Sequence, residues 1–177
     1  MHLGRSWKDI GSTTFRPEGH PSGDGGEGDS CGGPFDTRGD PEKWPTLVIE
    51  AGDSETIEAL RRDMIWWFSR SQHEVKIVLL ASFEHQDNSI LIEHYEEEEE
   101  TTRDGAAFPC LRPICQKSIN ITQNTGIPIT YNVARGALRL KFKLLFERDA
   151  RPGEGDIVIS VADLQDYAGK VWRQVRR

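Results

Sequence analysis

Between residues 47 and 81 the apolar positions change period twice, which predicts a strand, a helix and a second strand in succession. Leu47 to Ala51 is a near-continuous apolar run broken by Glu50, the pattern of a strand covered on both faces. Ile57, Leu60, Met64, Trp67 and Phe68 then recur at helical spacing, so a helix over 57–71 turns one stripe toward a core. Asp53 or Ser54 is the expected cap, because a short side-chain oxygen can accept a free first-turn amide, and Glu55 and Glu58 suit the helix dipole. Val75 to Ala81 is apolar and rich in branched residues, a second buried strand with Lys76 near its start. Trp66, Trp67 and Phe68 read as packing residues of this unit in preference to a base-stacking platform.

The pattern continues on either side. Ser89 to Tyr95 follows the turn-like Gln86, Asp87 and Asn88, so it pairs with the preceding strand as a hairpin. Ser118 to Thr122 is a short strand candidate, and Leu138 to Phe146 alternates apolar residues with Arg139, Lys141 and Lys143 as a longer one. Those basic residues read as the wet side of an edge strand. Gly153 to Gly155 turns the chain into a strand over 156–160. Ser160 with Asp163 forms a near capping box for a closing helix that carries Leu164, Tyr167, Ala168, Val171, Trp172 and Val175 on one stripe. The elements predict an α/β (α+β) fold with a mixed central sheet, in one domain over 1–177. Two loops interrupt it: a flexible Gly/Asp-rich segment at 19–40, and a segment at 96–113 that includes the acidic run Glu96 to Glu100.

Composition narrows the function. A formal net charge of −7 speaks against a wholly basic nucleic-acid binder, although a local basic groove is compatible with it. Cys31, Cys110 and Cys115 have no paired spacing, so neither a disulfide framework nor a zinc site is signalled, and reduced thiols in an intracellular protein are expected. Cytoplasm and nucleus are not distinguished. Asn120 and Thr122 complete a glycosylation sequon, yet Met1 is followed by a polar stretch and not by an apolar signal region. No apolar run approaches the roughly 20 residues that cross a bilayer, so no membrane association is expected.

Glu50 is the residue that suggests a chemistry. A carboxylate near the end of a core strand is costly unless paired, hydrated or bound to a metal. Two readings stand side by side. Glu50 at a sheet edge pairs with Arg61 or Arg62, or Glu50 converges with a second carboxylate on a magnesium-type ion while a lysine steadies phosphate charge.

The run Trp44 to Glu55 (WPTLVIEAGDSE), with Leu60 to Trp67 (LRRDMIWW) and Val75 to Val78 (VKIV), resembles a lineage of uncharacterised fungal proteins. That lineage is similar to the PD-(D/E)XK, or restriction-endonuclease-like, nuclease superfamily. Thr14 to Pro17 (TFRP) is similar to a pattern at the end of an earlier acidic strand in the lineage, and looser similarity continues from Gly153 to Trp172. The resemblance implies a restriction-endonuclease-like fold, Mg²⁺ as cofactor, and Glu50 as a metal-binding and catalytic carboxylate. The motif lysine falls at Gly52, the Asp of its first half falls among Gly11, Ser12 and Thr13, with Asp9 out of register, and Lys76 is the remaining catalytic lysine candidate. The superfamily core also opens with elements for which little chain precedes Thr14. The incomplete motif sets two expectations: metal-dependent phosphodiester hydrolysis by a reduced site, or a noncatalytic interaction module on the same scaffold. Nucleic acid or a protein is the corresponding partner.

Overall fold

The computed structural model describes residues 6–11, 13–17, 25–53, 55–100 and 110–175. Along the first third lie β1 (Trp7–Asp9), β2 (Thr14–Phe15), β3 (Gly26–Glu27), β4 (Ser30–Pro34) and the short α1 (Phe35–Arg38). The central unit is β5 (Leu47–Gly52), α2 (Ile57–Arg70) and β6 (Ile77–Glu84). Next come β7 (Ser89–Glu100), β8 (Cys110–Asn124) and β9 (Thr130–Val133). The chain closes with β10 (Leu138–Leu140), α3 (Phe142–Phe146), β11 (Ile157–Ile159) and α4 (Val161–Val175).

The fold is mixed α+β, built on one seven-stranded sheet in the order β1-β4-β5-β6-β7-β8-β9. Only β5 and β6 run parallel, because α2 carries the chain back between them; the other neighbours are antiparallel. Alternation along the strands sorts the core into two halves. Val48, Val78 and Leu80 meet Leu60, Met64, Trp67 and Phe68 of α2 on one face. Ile77, Leu79, Ile90, Ile92, Ile119 and Ile121 meet α3, α4 and the β10-β11 ribbon on the other. The two helical stripes are therefore as expected at Leu60, Met64, Trp67 and Phe68 and at Leu164, Ala168 and Trp172, all buried. The Ser160–Asp163 capping box also forms, with the Asp163 amide donating to Ser160 Oγ at 3.1 Å and the Ser160 amide donating to Asp163 Oδ2 at 3.0 Å.

Four expectations need correction. The α2 cap is Thr56, whose hydroxyl oxygen accepts from the Ala59 amide, while Asp53 bonds His85 and Ser54 lies outside the described residues. The segment 138–146 is strand only to Leu140: Leu145 and Phe146 are both buried, a spacing that fits the helix α3 and breaks the alternation. Its basic residues are paired, Arg139 with Asp156, Lys141 with Glu96 and Lys143 with Asp149. The acidic run is the end of β7, not a loop. Strand geometry separates its charges, with Glu96 buried on Lys141, Glu97 facing His73, Glu98 accepting from Gln116 and Glu100 pairing Arg112. Residues 101–109 of that predicted loop are outside the described residues.

The Gly-rich segment is the fourth. Residues 26–38 form β3, β4 and α1, while 18–24 lie outside the described residues. Its apolar cover comes from elsewhere in the chain: a Cβ on Gly26 would sit 2.2 Å from Trp66, and one on Gly32 would sit 2.5 Å from Trp7. These glycines let large rings close on the backbone.

Arg38 pins this region to the far end of the chain. Its side chain is buried and pairs with Glu147 and Glu74. Against the cost of burial, these carboxylates raise its pKa. Removing one partner of such a cluster leaves charge poorly compensated. Arg38→Met is expected to cost about 3 kcal/mol, the low end for a buried pair because Glu74 is half-exposed. Urea unfolding at pH 7 measures it, and an unchanged midpoint would contradict the pinning role.

Candidate functional site

Strand alternation fixes Glu50 on the α2 side of the sheet, in register with Leu80 on β6 and beside the β4 edge of β5. The Ser30–Ile49 pairing of antiparallel β4 and β5 places Asp29 opposite Glu50. Asp29 is held there, because its Oδ2 accepts the Ala51 amide at 2.7 Å. Above both lies α2, whose Asp63, Trp66 and Trp67 complete a cavity of about 400 Å³ with Glu27 and Glu55. Five carboxylates line this cavity and no Lys or Arg does, among the described residues.

Glu50 is buried, and Trp67 Nε1 donates to its Oε1. Burial is the main cause that pushes its pKa up to about 7; the Trp67 hydrogen bond opposes this, and Asp29 and Asp63 add to it by charge repulsion. At neutral pH the group thus sits near its titration midpoint. The Arg pairing expected for a purely structural Glu50 is not made: Arg61 instead bonds both oxygens of Glu93, at 3.0 and 2.6 Å. Against the upward push of burial, Arg61 and Tyr95 hold Glu93 below the usual carboxylate range. Arg62 is exposed on the outer side of α2.

The other sequence candidates lie apart from this cavity. Lys76 precedes β6, and its amide, like that of Ile77, donates to the Thr46 carbonyl at 3.0 Å. Four residues of β5, about 13 Å of strand, separate Thr46 from Glu50. The Lys76 Nζ donates to the His73 carbonyl at 2.6 Å. Asp9 accepts from the Gly11 amide at 3.1 Å, and Ser12 is outside the described residues. Thr14 and Phe15 form β2, where Phe15 is buried and stacks on Trp44 with ring centroids 5.3 Å apart.

Gly52 shares the face of Glu50 by strand alternation. A Cβ there would lie 3.1 Å from Leu60 Cδ1 and 3.3 Å from Glu55 Cβ, so a lysine side chain needs those neighbours to move. Cys31, buried under the same corner, is held protonated: burial first, then Glu50, raises its thiol to about 12.

Among the described residues, no group of three or more His, Cys, Asp and Glu stands ready to enclose a metal ion. A small hard cation asks for less. Mg²⁺ takes one or two protein carboxylates and keeps several waters, which is the donor set that Asp29 and Glu50 present in a polar cavity. Asp29 and Asp63, the carboxylates whose charge acts on Glu50, are not singled out by the sequence pattern.

No family model, curated protein or solved structure matches the chain. No helix among the described residues is long and apolar enough to cross a membrane.

Proposed function

We propose that the chain is a metal-dependent phosphodiesterase of the PD-(D/E)XK, restriction-endonuclease-like kind, with a reduced site. The observation that carries this reading is the placement of Asp29 opposite Glu50 across β4 and β5, at the mouth of a crossover helix. Asp29, just before β4, faces Glu50 on β5, and a helix and a parallel strand follow; this supports a two-carboxylate site of the kind the resemblance implies, with the first acid at Asp29 and not among Gly11 to Thr13. In this reading Asp29 takes the part of the first motif acid, and the register problem at Gly11 to Thr13 disappears. A bound Mg²⁺ or Mn²⁺ supplies Lewis-acid polarisation of a phosphodiester and lowers the pKa of a coordinated water. Asp29 and Glu50 would hold it, with Trp67 orienting Glu50 and Asp63 adding negative potential to the cavity.

The motif lysine has no counterpart at Gly52, which takes away a group that would steady phosphate charge. Hydrolysis is consequently expected to be slow. Supercoiled plasmid incubated with Mn²⁺ is the test: nicking by the wild-type protein that falls at least a hundredfold in Glu50→Ala supports the reading. Nicking that is equal in both proteins contradicts it. The vacancy at Gly52 favours a second reading, a noncatalytic module on the same scaffold, and ion binding without any nicking selects that one.

A further inference from the structure

A second and larger cavity, about 880 Å³, opens on the α2 side of the sheet, where the helix ends its cover. Val48, Val78, Leu80 and Tyr95 pack under α2, and β8 adds nothing to that cluster. Ile90, Ile119 and Ile121 point into the opposite core, so alternation turns Leu91, Ser118 and Asn120 toward the uncovered side. Ser82 pairs with Leu91, and Leu91 with Asn120, so the floor is one apolar side chain flanked by small polar ones. Among the described residues Ser82, Ser118 and Asn120 make no side-chain hydrogen bond. Glu55 and Glu58, at the start of α2, line one wall, and Glu84 and His85, at the β6–β7 turn, line the other. Arg135 stands at the far end, in the turn after β9.

Four carboxylates, Asp53, Glu55, Glu58 and Glu84, thus face one guanidinium. Little on the chain neutralises them. His85 Nε2 lies 2.6 Å from Asp53 Oδ1, Arg61 stands 4.0 Å from Glu58 but is engaged by Glu93, and Glu84 accepts only the Gln86 amide among the described residues. Such a lining repels anions and attracts cations. A small cation answers the walls and not the floor, where hydroxyls and an amide both donate and accept, as the N–H and C=O groups of a peptide backbone require. Leu91 suits the methylene stem of a long basic side chain. We infer that this uncovered sheet face docks an extended, lysine- or arginine-bearing segment of a protein partner. The backbone of the segment crosses Ser82, Ser118 and Asn120, one basic stem lies on Leu91, and the head groups reach Glu55 and Glu58 on one wall and Glu84 on the other. Three strand spacings separate β6 from β9, about 14 Å, which about four extended residues span. The formal net charge of −7 steers a basic partner toward the chain.

This assignment stands independently of the ion site. The test is fluorescence anisotropy at low salt with a labelled, end-blocked peptide of alternating lysine and threonine. Glu58→Lys/Glu84→Lys reverses two exposed charges that line this cavity and not the ion pocket. That variant is expected to bind at least tenfold more weakly, and Arg135→Glu, which removes the opposing guanidinium, about threefold more tightly. A gain in Arg135→Glu is an effect that misfolding does not produce. Glu42→Lys/Glu99→Lys makes the same change of net charge at exposed positions outside the cavity, and its affinity should stay within about twofold of the wild type. Equal weakening in the two double variants overturns the assignment, because it reports net charge alone. Affinity unchanged in Glu58→Lys/Glu84→Lys overturns it as well, as does a wild type that shows no saturable binding of the peptide. Spermidine, or a peptide of alternating glutamate and threonine, bound as tightly as the lysine peptide also contradicts it.

Discussion

Glu50→Gln is expected to stabilise the metal-free protein at pH 8 by about 2 kcal/mol. The folded state holds the Glu50 proton up to about pH 7 against an ordinary value of 4.5, a difference of 2.5 units. At 1.36 kcal/mol per unit this corresponds to roughly 3 kcal/mol. The sign follows from linkage. A carboxyl whose pKa is raised on folding favours the folded state below about pH 4.5, and that contribution is lost as the pH rises through 7. Glutamine carries no charge to desolvate and keeps an oxygen for Trp67 Nε1, but it offers one acceptor fewer to the Asp29 backbone amide that also bonds the carboxylate, which offsets about 1 kcal/mol of the gain. Urea unfolding in EDTA at pH 5 and pH 8 checks it. The wild type and Glu50→Gln should have similar stability at pH 5 and diverge at pH 8. Equal stability at pH 8 would mean that Glu50 is well solvated there.

The second large effect is expected from the proposed cation. An ion that binds only the folded state at a hundred times its dissociation constant adds about 2.7 kcal/mol. For a domain of this length that is a rise of about 5 to 10 °C in melting temperature. Asp29→Asn is expected to abolish that rise, since one of the two carboxylates facing the ion is neutralised while the Ala51 amide keeps an oxygen to donate to. Asp9→Asn, on the exposed side of β1, should leave it intact. Thermal melts with and without millimolar Mn²⁺ separate the two variants. A full shift in Asp29→Asn would remove Asp29 from the site.

Much of this arrangement is legible in the sequence where burial is strong and regular. The period change from Leu47 to Ala81 gives β5, α2 and β6 because both faces of that layer are filled by the same residues that set the period. Glu50 stands out for the same reason, as a charge inside an apolar run. Asp29 does not stand out. It immediately precedes β4, a strand of one serine, one cysteine, two glycines and a proline, where Trp7 of β1 closes on Gly32 and Cys31 joins the cluster of Trp67 on α2. A segment covered by other segments carries no period of its own. The acidic run misleads in a similar way, since Glu96, Glu97, Glu98 and Glu100 find partners in Lys141, His73, Gln116 and Arg112, none of which is adjacent in sequence. The α3 helix is hidden because the alternation of 138–142 continues by chance through Leu144 and Phe146, while Leu145 is what the core takes.

Titration calorimetry of Mn²⁺ at pH 8 and pH 6 tests the ion site at Asp29 and Glu50 most directly. The ion must displace the proton that Glu50 holds up to about pH 7, so its affinity should fall roughly tenfold between pH 8 and pH 6, with one ion bound per chain. Glu50→Ala should bind no ion at either pH. Wild-type affinity that is the same at the two pH values, and preserved in Glu50→Ala, would contradict the account.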